Sequence, residues 1–226
     1  MTETELYCRA DEAIGPFLEG EGFTRVQPAE WVRQATAGYD RVAVSKGPPS
    51  KARTHFAVFM SYYPNYLTAT DALFDQHKEQ PRGFPCGPYL TPVGATRRPK
   101  YWSYQSPEAL AKSLQHVRQC LEEAGLPWLE SLRDPRVFAA EVDPVAAFDA
   151  GLAHEAAGNI EEARRSYSEM MRRFLVPIQQ YGEATGLKGA EKLFVFLARK
   201  LGVEAERRER LERQLNYHPD VKPLPR

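Results

Sequence analysis

Residues 56–63, FAVFMSYY, constrain this chain more than any other stretch, because in an extended conformation they are apolar on both sides. Alternate residues of a strand face opposite ways, so Phe56, Val58, Met60 and Tyr62 share one face while Ala57, Phe59 and Tyr63 share the other. A strand with two apolar faces needs cover on both and belongs in the middle of a sheet. The segments before it, FTRV, EWVRQAT and YDRVAVSK, carry strand-type residues and are separated by QPA, AG and GPPSKA. The simplest arrangement is an antiparallel meander. Within it Val42 and Val44 point one way, and Arg41, Ala43 and Ser45 the other.

Helical periodicity brackets these strands. Thr2 and Glu5 stand in capping-box spacing ahead of Leu6, Ala10, Ile14 and Leu18, which predicts an amphipathic first helix. Pro16 after Gly15 predicts a kink or restart, and Gly20 and Gly22 an end before Phe23. TDALFDQHKEQ predicts a short helix capped by Thr70, while YLTPV and KYWSY read as short edge strands, since Pro92 cannot donate to an interior ladder. Ser106 caps a helix that starts with Pro107, repeats Leu110, Leu114, Val117 and Leu121, and closes at Gly125. PWLESLRD follows as a further helical turn, with Trp128, Leu129 and Leu132 returning to the sheet.

Beyond Pro144 the pattern is helical throughout, until the polar, proline-rich NYHPDVKPLPR, which predicts a loose tail. The chain therefore reads as α+β: an antiparallel sheet with flanking helices over residues 1–133, a linker at 134–143, an all-α C-terminal domain at 144–216 and a flexible tail at 217–226.

Charge narrows the function. Lys plus Arg number 30 and Asp plus Glu also 30, so binding by counterion release has only a local patch to work with. The longest apolar runs, FAVFM and LFVFLA, are far short of the roughly 20 residues that cross a bilayer, so no membrane partner is expected. An acidic start, MTETEL, and three cysteines (Cys8, Cys86, Cys120) without CxxC spacing favour a reducing cytoplasm.

Chemistry-bearing motifs are sparse. Phosphate-cradling loops, the G-x-S-x-G elbow and HExxH are all missing from the sequence. Asp71, Asp75 and His77 lie close together and could be drawn with Cys86 as a metal site, yet their spacing fits no zinc pattern and a solvated helix accounts for them. His55 could serve as a general base but also fits a strand-edge histidine with a backbone partner. The expectation is no catalytic residue, no cofactor and no metal. An enzyme with an unfamiliar site near His55, Asp71, Asp75 and His77 stands as the outer alternative. Glu161 with Arg165, Glu204 with Arg208, and Glu209 with Arg213 are spaced for ion pairs on solvated helix faces.

Two stretches resemble known families. Gly151, Gly158, Asn159, Ala163 and Tyr167 stand in G-x6-G-N-x3-A-x3-Y, which resembles one tetratricopeptide repeat. That resemblance implies a helical hairpin with close packing at Gly151 and a turn at Gly158 and Asn159. A single repeat cannot bury its own face, so it must pack on the helix around Phe194 or on the first domain. Residues 6–132 resemble a bacterial domain family of unknown function. The resemblance is carried by Gly22-Phe23 after a helix, Trp31-Val32-Arg33 in a strand, an aromatic strand around Trp102 and Trp128-Leu129 after a helix. It implies a binding role, in the setting of contact-dependent toxin and immunity modules, and carries over no active residue.

One asymmetry remains. Residues 1–30 hold seven acids and two bases, whereas residues 31–105 hold ten bases and four acids. Within the basic part, RRPKYWSY sets Arg97, Arg98 and Lys100 beside Tyr101, Trp102 and Tyr104, a mixture of cations and rings suited to a protein hot spot or to base stacking. The neutral whole favours a protein partner over nucleic acid. The expected function is a non-catalytic protein-interaction module, of immunity or adaptor type, that binds through this aromatic and basic sheet edge. A nucleic-acid binder using the same patch is the alternative.

Overall fold

Residues 2–48, 54–68, 89–96, 98–142, 147–181 and 188–225 are described by a computed structural model. Among them the strands are β1 (Thr24–Gln27), β2 (Glu30–Ala35), β3 (Gly38–Lys46), β4 (His55–Pro64), β5 (Tyr89–Thr91), β6 (Gly94–Thr96) and β7 (Trp102–Ser103). The helices are α1 (Glu3–Gly20), α2 (Asn65–Thr68), α3 (Pro107–Cys120), α4 (Leu126–Ser131), α5 (Pro135–Glu141), α6 (Ala147–Ala156), α7 (Ile160–Tyr181), α8 (Lys188–Leu201) and α9 (Ala205–Leu215). The fold is α+β, with the strands antiparallel in the order β1-β2-β3-β4-β5-β6. The predicted helix around Thr70 lies outside the described residues.

β4 sits in the interior, as its two apolar faces demand. β3 runs along one side in nine-residue register, from Gly38 opposite Pro64 to Lys46 opposite Phe56. The other side is shared by β7, opposite His55 and Phe56, and β5, opposite Phe59. Phe56, Val58, Met60 and Tyr62 are buried on one face, Ala57 and Tyr63 on the other.

α1 opens with both capping-box bonds: the Glu5 N–H donates to the Thr2 hydroxyl, and the Thr2 N–H to the Glu5 carboxylate. Leu6, Ala10, Ile14 and Leu18 are all fully buried. The kink or restart predicted at Pro16 gives way to a single helix running through it. Gly15, one residue earlier, faces the Trp31 indole, whose Nε1 would be in ordinary contact, 3.7 Å, with a Cβ there.

Gly125 also differs from expectation. α3 does not close there but continues through one π-helical turn, Leu121–Gly125, directly into α4. A Cβ on Gly125 would meet Leu90 at 2.9 Å and Met60 at 3.0 Å, so the glycine is a point of close approach to the sheet rather than a cap.

The chain divides into two compact units, residues 1–65 with 86–137, and residues 66–85 with 138–226. The expected linker at 134–143 instead carries α5, with Phe138 fully buried. Proline at the first helical position and apolar residues behind it are enough to make a helix of it.

In the second unit α6 and α7 form the hairpin implied by the repeat pattern. Gly158 turns it with a φ of 76°, and the Asn159 N–H donates to the His154 carbonyl at 2.8 Å. Gly151 packs so close to α7 that a Cβ there would fall 2.5 Å from the Tyr167 ring. The hairpin packs on α8, where Phe148 meets Phe196 edge-on at 5.4 Å and Phe194 is buried. The Tyr167 hydroxyl donates to Glu155 at 2.8 Å, and Glu155 also takes the Lys200 ammonium of α8. Residues 217–225, expected to be loose, lie against this unit instead, with Leu224 buried. Among the described residues no helix is long and apolar enough to cross a membrane.

Gly151→Ala forces a methyl into a rigid ring and is expected to lower stability by about 1–3 kcal/mol in urea denaturation. Gly20→Ala, with no atom within 4 Å of the new methyl, should leave stability within about 0.5 kcal/mol or raise it slightly.

Candidate functional site

The predicted surface centres on β7, and strand phase decides which of its side chains reach solvent. β7 pairs with β4 so that Trp102 lies opposite Phe56 and Ser103 opposite His55. With a period of two, Trp102 and Tyr104 then share one face, and that face is the core. Trp102 is only 4% exposed and Tyr104 only 2%. The Trp102 ring stacks on Phe56 at 6.0 Å, and Tyr104 lies 6.4 Å from the same ring. His116 of α3 closes over Trp102 edge-on at 6.3 Å. The Ser113 hydroxyl fastens α3 to β7 through the Ser103 carbonyl at 2.8 Å. The expected ring-bearing rim is thus corrected: two of its three aromatics are structural.

Arg98 and Lys100 are exposed and Tyr101 is half-buried. Arg97 lies outside the described residues. Neither Arg98 nor Lys100 meets an acid among the described residues, whereas most described arginines close on a carboxylate of their own chain. Lys100 also acts on α3. Burial pushes the Cys120 thiol up, and the Lys100 charge opposes that push. Lys100 therefore reaches the end of α3, with Arg98 two residues upstream, and the pair forms a basic seam before β7.

The other candidates scatter. His55 opens β4 half-buried, with Nδ1 2.7 Å from the Thr54 hydroxyl and its carbonyl taken by the Gly47 N–H. Asp71, Asp75, His77 and Cys86 lie outside the described residues. Tyr62 is buried and donates to the Ala37 carbonyl at 3.0 Å, Tyr63 stacks on Tyr39 at 5.3 Å, and Tyr66 meets Phe138 edge-on at 6.0 Å. Among the described residues no three His, Cys, Asp or Glu side chains gather where a metal could be held.

The predicted helix ion pairs regroup. Arg165 takes Glu162 rather than Glu161, and the Arg213 side chain bonds the Glu209 carbonyl rather than its carboxylate. Arg208 turns to Glu209 and to Glu212, which is itself buried against Arg199. A desolvated carboxylate attracts a guanidinium more strongly than the exposed Glu204 can.

Sequence reasoning missed a charge cluster of the first unit centred on the buried Asp40. Asp40 of β3 has no exposed side-chain surface, and its Oδ2 takes Arg33 of β2 at 2.7 Å and Arg133 at 2.8 Å. Glu130 of α4 bridges the same guanidiniums, from Arg33 at 2.6 Å and from Arg133 at 2.8 Å. The Arg133 guanidinium also lies 5.3 Å over the Tyr62 ring. Arg133, then Arg33, holds the Glu130 carboxyl below the usual carboxylate range, and Glu130 with Asp40 raises Arg133. Two acids and two bases close on one another, so the cluster fastens α4 to the sheet, while Asp40 Oδ1 and Arg133 Nη1 are buried with no hydrogen-bond partner among the described residues. The signal was present in the sequence: Asp40 is in phase with Val42 and Val44 on the apolar face of β3.

An open groove of about 860 Å³ runs between α1 and α3, with Ala13, Leu110, Ala111 and Leu114 along it and the Arg9–Glu12 pair on its rim. The exposed Cys8 lies at its edge.

No protein-family model matches the chain, and neither does any curated protein or solved structure.

Asp40→Asn leaves two guanidiniums facing a neutral amide and is expected to cost about 3–5 kcal/mol in chemical denaturation, the usual penalty for unpairing buried charge. The Glu130 carboxyl titrates lower when folded than when unfolded, so its contribution is present above the unfolded carboxylate range and is lost as pH falls through the folded value. Stability should therefore decline on acidification below about pH 4, and the decline should be shallower in Glu130→Gln.

Proposed function

We propose that this chain is a non-catalytic protein-interaction module whose contact surface is the basic seam of Arg98, Lys100 and Tyr101, and whose partner presents an acidic face. The observation that carries the reading is the state of the charges. In the first unit the buried acids and bases are consumed in closed pairs, while Arg98 and Lys100 stand exposed with no acid of the described chain beside them. Unneutralised surface cations steer an acidic partner and fix its register, and a half-buried tyrosine between them supplies contact area at low entropic cost. The buried Trp102 and Tyr104 hold the seam rigid from below. An immunity or adaptor protein of the cytoplasm is the finer form of this reading.

A chain with equal numbers of acids and bases supports a protein partner over nucleic acid, because Arg98 and Lys100 release too few counterions for strong polyanion binding. The test is charge reversal. Arg98→Glu with Lys100→Glu should keep the fold, since both are exposed, and should weaken capture of an identified acidic partner at least about ten-fold, a loss of about 1.4 kcal/mol. Equal capture by both forms would remove the seam from the interface. Tight binding to a single-stranded oligonucleotide that falls steeply with salt would replace the protein partner by nucleic acid.

A further inference from the structure

Residues 217–225, YHPDVKPLP, leave α9 at Asn216, whose φ of 47° turns the chain back. As far as Val221 every second side chain is half-buried, with His218, Asp220 and Lys222 exposed. The Val221 N–H donates back to the Pro219 carbonyl at 2.9 Å, and beyond this tight turn Pro223 is exposed while Leu224 is 6% exposed. Burial raises the Tyr217 hydroxyl to about 12.

The segment is held mainly by its backbone. Arg199 of α8 donates to the Pro219 carbonyl at 3.1 Å, and Arg164 of α7 donates to the Pro225 carbonyl at 2.6 Å. Between them the Leu224 N–H donates to the Lys200 carbonyl at 2.9 Å, satisfying an acceptor in the last turn of α8 that has no partner within the helix. Pro219, Pro223 and Pro225 have no N–H to leave unsatisfied and restrict the chain to extended conformations before it docks. Carbonyls gripped by fixed donors, one apolar anchor and prolines that limit the free chain are means by which grooves recognise proline-rich peptides.

We propose that this face of α7 and α8 is a recognition groove for an extended Pro-Leu-Pro segment of a partner protein, and that residues 217–225 occupy it in cis. The inference concerns the second unit alone and stands whether or not the β7 seam binds anything. Tethering presents the segment to its own groove at an effective concentration on the order of millimolar, so a free peptide of the same sequence competes poorly until the tethered copy is weakened. The anchor, Leu224, is the residue whose loss weakens it most.

The experiment uses the full chain and a fluorescein-labelled peptide of residues 217–226, followed by anisotropy. The peptide should bind the Leu224→Asp chain at least about ten-fold more tightly than the unaltered chain, and a peptide carrying the same Leu224→Asp change should bind neither form. A variant that keeps its circular dichroism and its unfolding transition but binds the peptide no better would overturn the proposal, as would equal binding of both peptides. If Leu224→Asp does not fold, Arg164→Ala removes one carbonyl donor, and a gain of about three-fold is then expected. No gain there means the segment is a fixed part of the body.

Discussion

The two-sided burial of β4 is the constraint on which the first unit depends. A strand apolar on both faces must have neighbours on both edges and cover on both surfaces. β3 satisfies one edge over nine residues, and β7 and β5 share the other. That long register also fixes everything attached to β3. A slip of one residue would carry Val42 and Val44 off the core face, and Asp40 with them. In the observed register Asp40 lies opposite Arg33 on one side and Tyr62 on the other, and Arg133 spans the Asp40 carboxylate and the Tyr62 ring. Hydrophobic pairing sets the register, and the charge cluster holds α4 where that register puts it.

Such a cluster is a poor source of net stability, because desolvating Asp40 and much of Arg33 and Arg133 offsets most of the mutual attraction. Its consequence is specificity. Arg33, Arg133 and Glu130 find low energy only when α4 sits at one height on the sheet, and a sliding helix would leave Asp40 buried without a cation. Gly125 reinforces the same placement from the helix side, since the approach of the π turn to Leu90 and Met60 leaves no room for a side chain. Apolar packing decides that α4 covers the sheet, and the polar cluster and the glycine decide where.

Much of this could be read from the residues. The central strand, the meander before it, the capping box at Thr2, the Ser106 cap and the α6–α7 hairpin are local patterns whose physics acts within a few residues, and each stands in the structure. The misreadings were non-local. Gly125 looked like a cap because glycine usually marks a helix end, and only the sheet packed against it makes it a contact point. The tail looked loose because proline and charge predict solvation, and only α7 and α8 supply donors for its carbonyls. Asp40 was passed over because a single acid in a strand means little until two arginines, one of them 93 residues away, converge on it.

The candidate site shows the same limit in its sharpest form. KYWSY alternates correctly for a strand, and the pattern states that Trp102 and Tyr104 share a face. It does not state which face meets water. That choice is made by β4, whose Phe56 supplies the apolar floor, and by α3, whose His116 and Ser113 close above. Arg98 and Lys100 stand in the same alternation as Trp102 but precede β7, and a lysine or arginine without a carboxylate partner does not follow a tryptophan into the core. Their exposure follows from where the strand begins, at Trp102, and from the cost of burying an unpaired charge.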